Sequence, residues 1–223
     1  MNSSPMIEAH DLRRRDAESE RVILDGVTLQ INAGECIGLM GPSGSGKSTL
    51  LRAIARLDPM DQGELFFQGN AVRGDDIPPY RRRVVYVSQQ SVVVQPTLRE
   101  DLQHIFQFQS SKQPLDWQQA ESQLVQFGKT ASMLDQPADQ LSGGEKQIAA
   151  LVRAMTLSPL VLLLDEPTAS LDAVATEGIE TGVKQWLAGD VSRAVVWVSH
   201  DQQQIQRVAT RVIQVNAGRV GGS

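Results

Sequence analysis

Gly41-Pro42-Ser43-Gly44-Ser45-Gly46-Lys47-Ser48-Thr49 is the most informative segment of this chain. It fits the spacing G-x-x-x-x-G-K-[ST]. It follows a strand-like run, Cys36–Met40, and opens a helical stretch, 48–57, that Asp58-Pro59 should end. Glycines let the backbone curl so that successive N–H groups face a phosphate, and the helix start adds its partial positive charge. Lys47 would reach the β- and γ-phosphates of a nucleotide, and the Ser48 hydroxyl would ligate Mg²⁺. At average glycine and lysine usage a chance match in a chain this long is roughly a one-in-a-hundred event, and the strand-to-helix context makes it rarer.

Working outward, Val161-Leu162-Leu163-Leu164-Asp165-Glu166 supplies the complement. Four apolar residues read as a buried strand that delivers two carboxylates at its C-terminal end, the end where open α/β sheets bind ligands. Asp165 would hold the hydration shell of Mg²⁺, and Glu166 is placed to orient or deprotonate an attacking water. Further strand-like runs lie at 22–24, 27–31, 65–67, 84–87, 194–198 and 212–215. Most read as continuous Val/Ile/Leu, as expected of a parallel sheet covered on both faces. Helical stretches at 48–57, 98–127, 144–157 and 173–187 alternate with them, which predicts an α/β fold with right-handed crossovers. From about 91 to 157 that rhythm breaks. Strong strands are missing and glutamines separate apolar positions such as Leu102, Ile105, Phe106, Leu124, Val125 and Phe127, so this stretch reads as an inserted helical subdomain.

Composition narrows the function classes. The 223 residues are 41% hydrophobic, enough to bury a sizeable core, and 21% charged, near the average for globular chains. Twenty-one Lys+Arg against 26 Asp+Glu leave a formal charge of −5; a protein held to nucleic acid by its field usually carries the opposite sign, so no nucleic-acid partner is expected. The longest apolar runs are a few residues, far short of the roughly 20 that span a bilayer. Residues 1–15 show no secretion signal, and the single cysteine, Cys36, reads as a core residue of a chain in a reducing compartment.

Leu141-Ser142-Gly143-Gly144-Glu145-Lys146-Gln147, about twenty residues before the Asp165-Glu166 strand, separates this chain from other phosphate-loop proteins. Together the three segments resemble the nucleotide-binding subunit of an ATP-binding-cassette (ABC) transporter over nearly the whole chain. The resemblance implies a P-loop NTPase (RecA-like) core with a mostly parallel sheet, an N-terminal antiparallel β portion and an inserted helical subdomain. It implies one domain over 1–223, with its core at 1–90 and 158–223 and its helical part at about 91–157. Ser142, Gly143 and Gly144 then form a second phosphate-binding helix start, which in the family faces the γ-phosphate held by another subunit. Two subunits, copies of one chain or related cassettes, sandwich two ATP molecules head to tail, so that ligand builds part of the interface.

By the same resemblance Gln89 would touch Mg²⁺ and the water while facing the membrane partner. Its choice over Gln90 rests on the spacing after Arg82-Arg83. His200, in Val198-Ser199-His200-Asp201, would contact the γ-phosphate, and Asp172, in Ala169-Ser170-Leu171-Asp172, belongs to the loop through which subunits sense each other. ATP and Mg²⁺ are the implied cofactors. A multi-spanning permease is the implied partner, holding the chain peripherally on the cytoplasmic side of the cell (inner) membrane. A looser resemblance points to a small group of cassettes proposed to export iron or other metal; importers of phosphate or amino acids, and a soluble mechanochemical ATPase, are the alternatives. Two features depart from the family pattern. No Phe, Tyr or Trp precedes Phe66 to stack on adenine, where Arg13, Arg14 or Arg15 could offer a guanidinium face. Ile148 also stands where an arginine is common.

Overall fold

The computed structural model describes residues 5–107, 114–169 and 171–222. Its larger sheet holds β3 (Cys36–Met40), β6 (Val84–Val87), β7 (Val161–Asp165), β8 (Ala194–Val198), β9 (Arg211–Asn216) and β10 (Arg219–Gly222), in the spatial order β10-β9-β3-β8-β7-β6. All neighbours are parallel except the closing pair, β9 and β10. The smaller sheet is antiparallel: β2 (Val22–Ile31), β1 (Ile7–Arg15), β4 (Gln62–Phe67) and the two-residue β5 (Asn70–Ala71), in that order. The expected mostly parallel sheet with an antiparallel N-terminal portion is therefore present.

Both faces of the larger sheet are buried, which is why its strands are continuous apolar runs rather than alternating ones. Along β7, Val161 and Leu163 face a core shared with the smaller sheet and helix α1 (Lys47–Ile54). Leu162 and Leu164 face a second core built with α3 (Leu98–Gln107), α4 (Trp117–Gln126), α5 (Gly143–Thr156), α6 (Ala173–Ala188) and α7 (Gln202–Val208). The first core includes Ile7, Leu12, Leu24, Leu50, Leu51 and Ile54; the second includes Leu102, Leu124, Leu151, Val183, Trp186 and Trp197. A short helix, α2 (Ile77–Arg83), leads into β6 and starts where Pro78-Pro79 suits a first helical turn.

Several elements differ from expectation, each for a local reason. The runs 22–24 and 27–31 are one strand, β2, carried through Gly26 at φ 74° with register shifts against β1. β1 itself escapes an apolar pattern because its last three residues, Arg13, Arg14 and Arg15, are charged, although Ile7, Ala9 and Leu12 are buried. Helix α1 ends at Ile54, before Asp58-Pro59, with Arg56 left-handed at φ 56° and Leu57 N–H returning to the Arg52 carbonyl. The single stretch 98–127 is two helices, the second opened by Asp116, which accepts from Gln119 N–H at 3.1 Å; residues 108–113 lie outside the described residues. α7 was hidden by Gln202-Gln203-Gln204, of which Gln204 is buried among polar partners. Among the described residues no helix is long and apolar enough to cross a membrane.

Candidate nucleotide site

The loop between β3 and α1 has the shape its glycines demand. At Gly41, φ 152°, a Cβ would lie 2.0 Å from the Val215 carbonyl oxygen. At Gly46, left-handed at φ 101°, it would lie 2.7 Å from that of Ile23. Gly46 opens α1 without any side-chain cap, so the first N–H groups of the helix keep no partner from a capping side chain. Ser45 Oγ is buried and has no hydrogen-bond partner, a cost that a bound phosphate oxygen would remove. Lys47 is buried and folded back, its Nζ donating to the carbonyls of Gly41 at 2.8 Å and Pro42 at 2.9 Å.

A cleft of about 420 Å³ opens over this loop. Ser43, Gly44, Gly46, Lys47, Ser48 and Thr49 form one side of it, and Gln89 and Glu166 another. Gln89 follows β6 and Glu166 follows β7. These are neighbouring parallel strands, and both residues emerge at the C-terminal ends where the sheet topology delivers side chains to a ligand. Glu166 is left-handed at φ 47°, unusual for a glutamate, and its N–H donates to the Val198 carbonyl at 3.1 Å. That strained turn brings its Oε2 to 3.3 Å from Nδ1 of His200, which is exposed beyond the end of β8.

Asp165 lies beneath this pair, 5% exposed, with Oδ2 accepting the Tyr86 hydroxyl proton at 2.8 Å. Burial, reinforced by the Asp165 charge, raises the Tyr86 pKa far above the ordinary phenol range and keeps the hydroxyl a donor. Among the described residues no three His, Cys, Asp or Glu side chains gather as a self-contained metal cage. Ser48, Gln89 and Asp165 instead offer hydroxyl, amide and carboxylate oxygens beside a phosphate cradle. This donor set suits Mg²⁺, which is bound through one or two carboxylates together with substrate phosphates.

Two further groups stand apart from the cleft. Ser142 caps α5, its Oγ accepting from Glu145 N–H at 3.3 Å while Glu145 Oε2 accepts from Ser142 N–H at 2.9 Å. The Ser142 N–H, then the Ser142 hydroxyl and Lys129, hold the Glu145 carboxyl below its ordinary pKa. Gly143 and Gly144 form the first turn of α5, and a Cβ on Gly144 would lie 3.2 Å from that of Ala175. Asp172 caps α6, accepting from Ala175 N–H at 2.8 Å, so the starts of α5 and α6 are adjacent. Ser170 lies outside the described residues. None of Ser142, Gly143, Gly144 and Asp172 lines the cleft.

Two of the three arginines that could offer a guanidinium face to the base are engaged elsewhere. Arg13 is committed to Asp11 at 2.9 Å and Asp25 at 2.8 Å, and Arg14 donates to the Pro59 carbonyl at 2.6 Å. The cleft is lined instead by Asp16, Ser19, Arg21 and Ile23 from the hairpin joining β1 to β2. Asp16 shapes that turn by accepting from the N–H groups of Glu18 and Ser19 and from the Ser19 hydroxyl. An Asp followed three residues later by Ser was the available signal.

The comparisons agree with this architecture. A model of the ABC transporter family matches residues 24–169. "ABC transporter I family member 17" of Arabidopsis thaliana is 37% identical over 218 residues, covering 98% of this chain and 81% of the relative. The "Sulfate/thiosulfate import ATP-binding protein CysA" of Pseudomonas putida is 35% identical, covering 87% of this chain and 60% of its own. The chain spans about three fifths of the length of most of the curated relatives it matches. A dimeric ATP-binding cassette solved in a post-hydrolysis state with ADP and Pi superimposes with a TM-score of 0.83 at 28% identity, covering 96% of each chain. This chain belongs to the ABC transporter family, whose cassettes bind and hydrolyse ATP.

Proposed function

We propose that this chain is the ATP-hydrolysing subunit that powers a membrane transporter, working as a head-to-tail dimer with a second copy or a related cassette. One observation carries the reading: the cleft over the phosphate loop is lined by Glu166, which meets His200 at 3.3 Å, while the Ser142-Gly143-Gly144 helix start lies apart from that cleft. A site split in this way is completed by another subunit.

Binding begins at the loop. The N–H groups at the start of α1 and the Ser45 hydroxyl take phosphate oxygens, and Lys47 leaves the Gly41 and Pro42 carbonyls for the β- and γ-phosphates. Mg²⁺, when bound, neutralises charge on the β- and γ-phosphate oxygens, and Ser48, Gln89 and Asp165 would hold it. Glu166 orients the attacking water and takes its proton as the oxygen bonds to the γ-phosphorus and the bond to ADP breaks. His200, whose Nδ1 lies 3.3 Å from Glu166 Oε2, contacts the γ-phosphate. Ser142 and the N-terminus of α5 bind the γ-phosphate of the partner's ATP, and Asp172 beside them meets the partner. Gln89 passes closure to a multi-spanning permease. The helical segment from 91 to 157 carries Ser142 and is the part that turns against the core.

Cargo and direction belong to the permease in this reading. A relative whose name states its cargo imports sulfate or thiosulfate; such a name lends no support to metal export and favours the importer alternative. The test uses Glu166→Gln, which should lower ATP turnover by about 10²–10⁴-fold and trap the closed dimer. Captured from detergent-solubilised native membranes with ATP, that variant should bring down a multi-spanning protein in stoichiometric amount. Recovery of soluble proteins or nucleic acid alone overturns the transport reading.

A further inference from the structure

We infer that Tyr86 is a positioning residue for the metal half of the nucleotide site: its hydroxyl pins the Asp165 carboxylate in one orientation. The inference rests on Asp165 serving Mg²⁺, as proposed above. An aspartate side chain turns about a broad, roughly two-fold terminal torsion, so a carboxylate at a strand end has no preferred orientation of its own. Here Oδ2 accepts the Tyr86 hydroxyl at 2.8 Å, inside a site where Asp165 is 5% exposed. With that oxygen engaged and the torsion held, Oδ1 is left for the cation. Ligating carboxylates commonly depend on such an outer partner for orientation.

The fold makes this bond from strand register. Tyr86 on β6 stands opposite Leu163 on β7, so Asp165, two residues on, shares its sheet face at diagonal distance, within reach of a long aromatic side chain. The Tyr86 ring packs against the core beneath α1. Arg52 of α1 lies 5.9 Å from the ring centroid and is itself held by Asp58 through two hydrogen bonds of 3.0 and 2.7 Å. Tyr86 is thus wedged between the helix that follows the phosphate loop and the strand that carries Asp165. Its side chain fixes the one relative to the other, and a phenylalanine would keep the wedge and lose the hydroxyl's contacts, the pin on Asp165 and the contact with Arg52.

The experiment uses the full chain carrying Glu166→Gln, with saturating ATP, and Mn²⁺ as the probe read by electron paramagnetic resonance. Adding Tyr86→Phe should weaken Mn²⁺ binding by about tenfold. ATP binding in EDTA, read by calorimetry, should stay within about twofold, a change under roughly 0.4 kcal/mol. Equal Mn²⁺ affinity with and without Tyr86→Phe overturns the inference. So does a parallel loss of metal-free ATP binding, since that makes the effect one of packing. If the parent variant binds ATP but no Mn²⁺, the metal reading itself has failed, a result distinct from failure at Tyr86.

Discussion

Helices α1 and α5 both begin on glycines, and both present a helix start suited to phosphate, yet their ends are finished in opposite ways. α1 has no side-chain cap, a partnerless Ser45 hydroxyl in the loop before it, and a lysine folded onto its own loop. α5 carries a full capping box between Ser142 and Glu145, with Lys129 at 3.1 Å from Glu145. The first end is left open for a ligand and is buried in the core on its far side. The second is satisfied by its own side chains on an exposed surface, and a phosphate from another subunit must compete with them. A capping residue contributes about 1 kcal/mol, so the second site is closed by a small and reversible margin. In the proposed dimer an order of events follows: nucleotide would bind the open end first, and the capped end would join afterwards.

The comparison is broken most severely by loosening α5 from its anchor. Arg153, late in that helix, pairs with buried Asp101 at 3.0 Å and donates to the Val92 carbonyl; Asp101 also accepts from the N–H groups of Val94 and Gln95. Arg153→Met leaves Asp101 buried without its cation and should cost about 3 kcal/mol of stability in urea unfolding. A cost under about 1 kcal/mol, the range of an exposed pair, means that α5 is held otherwise.

Next in size, Lys47→Ala should weaken ATP binding to the monomer by about 1.5–3 kcal/mol, the worth of charge-assisted hydrogen bonds, and abolish the ATP-driven dimer with it. Ser142→Ala should abolish the dimer alone, at a stability cost of about 1 kcal/mol. Light scattering beside nucleotide titration separates the two. If Ser142→Ala weakens monomer binding as Lys47→Ala does, the two ends belong to one site and the comparison collapses.

Glu145→Gln sharpens it further. Glutamine can keep the box, so the helix should persist while a negative charge beside the incoming phosphate disappears, and the ATP dimer should tighten most at low salt. The Glu145 carboxyl titrates below its ordinary value of 4.5 when folded. Its contribution is therefore present above that value and is lost as pH falls through the lower folded value. Acid unfolding of Glu145→Gln should lack this component. The smallest effect concerns the base: with Arg21 and Asp16 rather than an aromatic ring at the cleft, ATP should bind less than tenfold more tightly than GTP.

Much of the site was legible because its chemistry is local. The loop 41–49, the pair Asp165-Glu166 and the segment Ser142-Gly143-Gly144 each take a conformation set by neighbours in sequence, since a cradle of N–H groups needs only a turn and a helix start. β1 and α7 were not legible. Three successive arginines at the end of β1 outweigh its buried Ile7, Ala9 and Leu12, and the glutamines of α7 look solvated until Gln204 meets Thr168 and Glu180, at 2.9 and 3.0 Å, inside the fold. Arg21 was not legible as a cleft residue because a cleft wall is defined by what lies across from it.

The order of residues alone determined that a phosphate loop sits between a strand and a helix, that two carboxylates end a buried strand, and that the family is that of the ABC cassettes. Tertiary structure alone decided which arginine reaches the cleft, that Glu166 meets His200, that Tyr86 hydrogen-bonds Asp165, and that α5 caps itself away from the cleft. The division has one physical cause. Backbone conformation and helix dipoles are set within a few residues, whereas a hydrogen bond between side chains 79 residues apart exists only once strand register has brought them together.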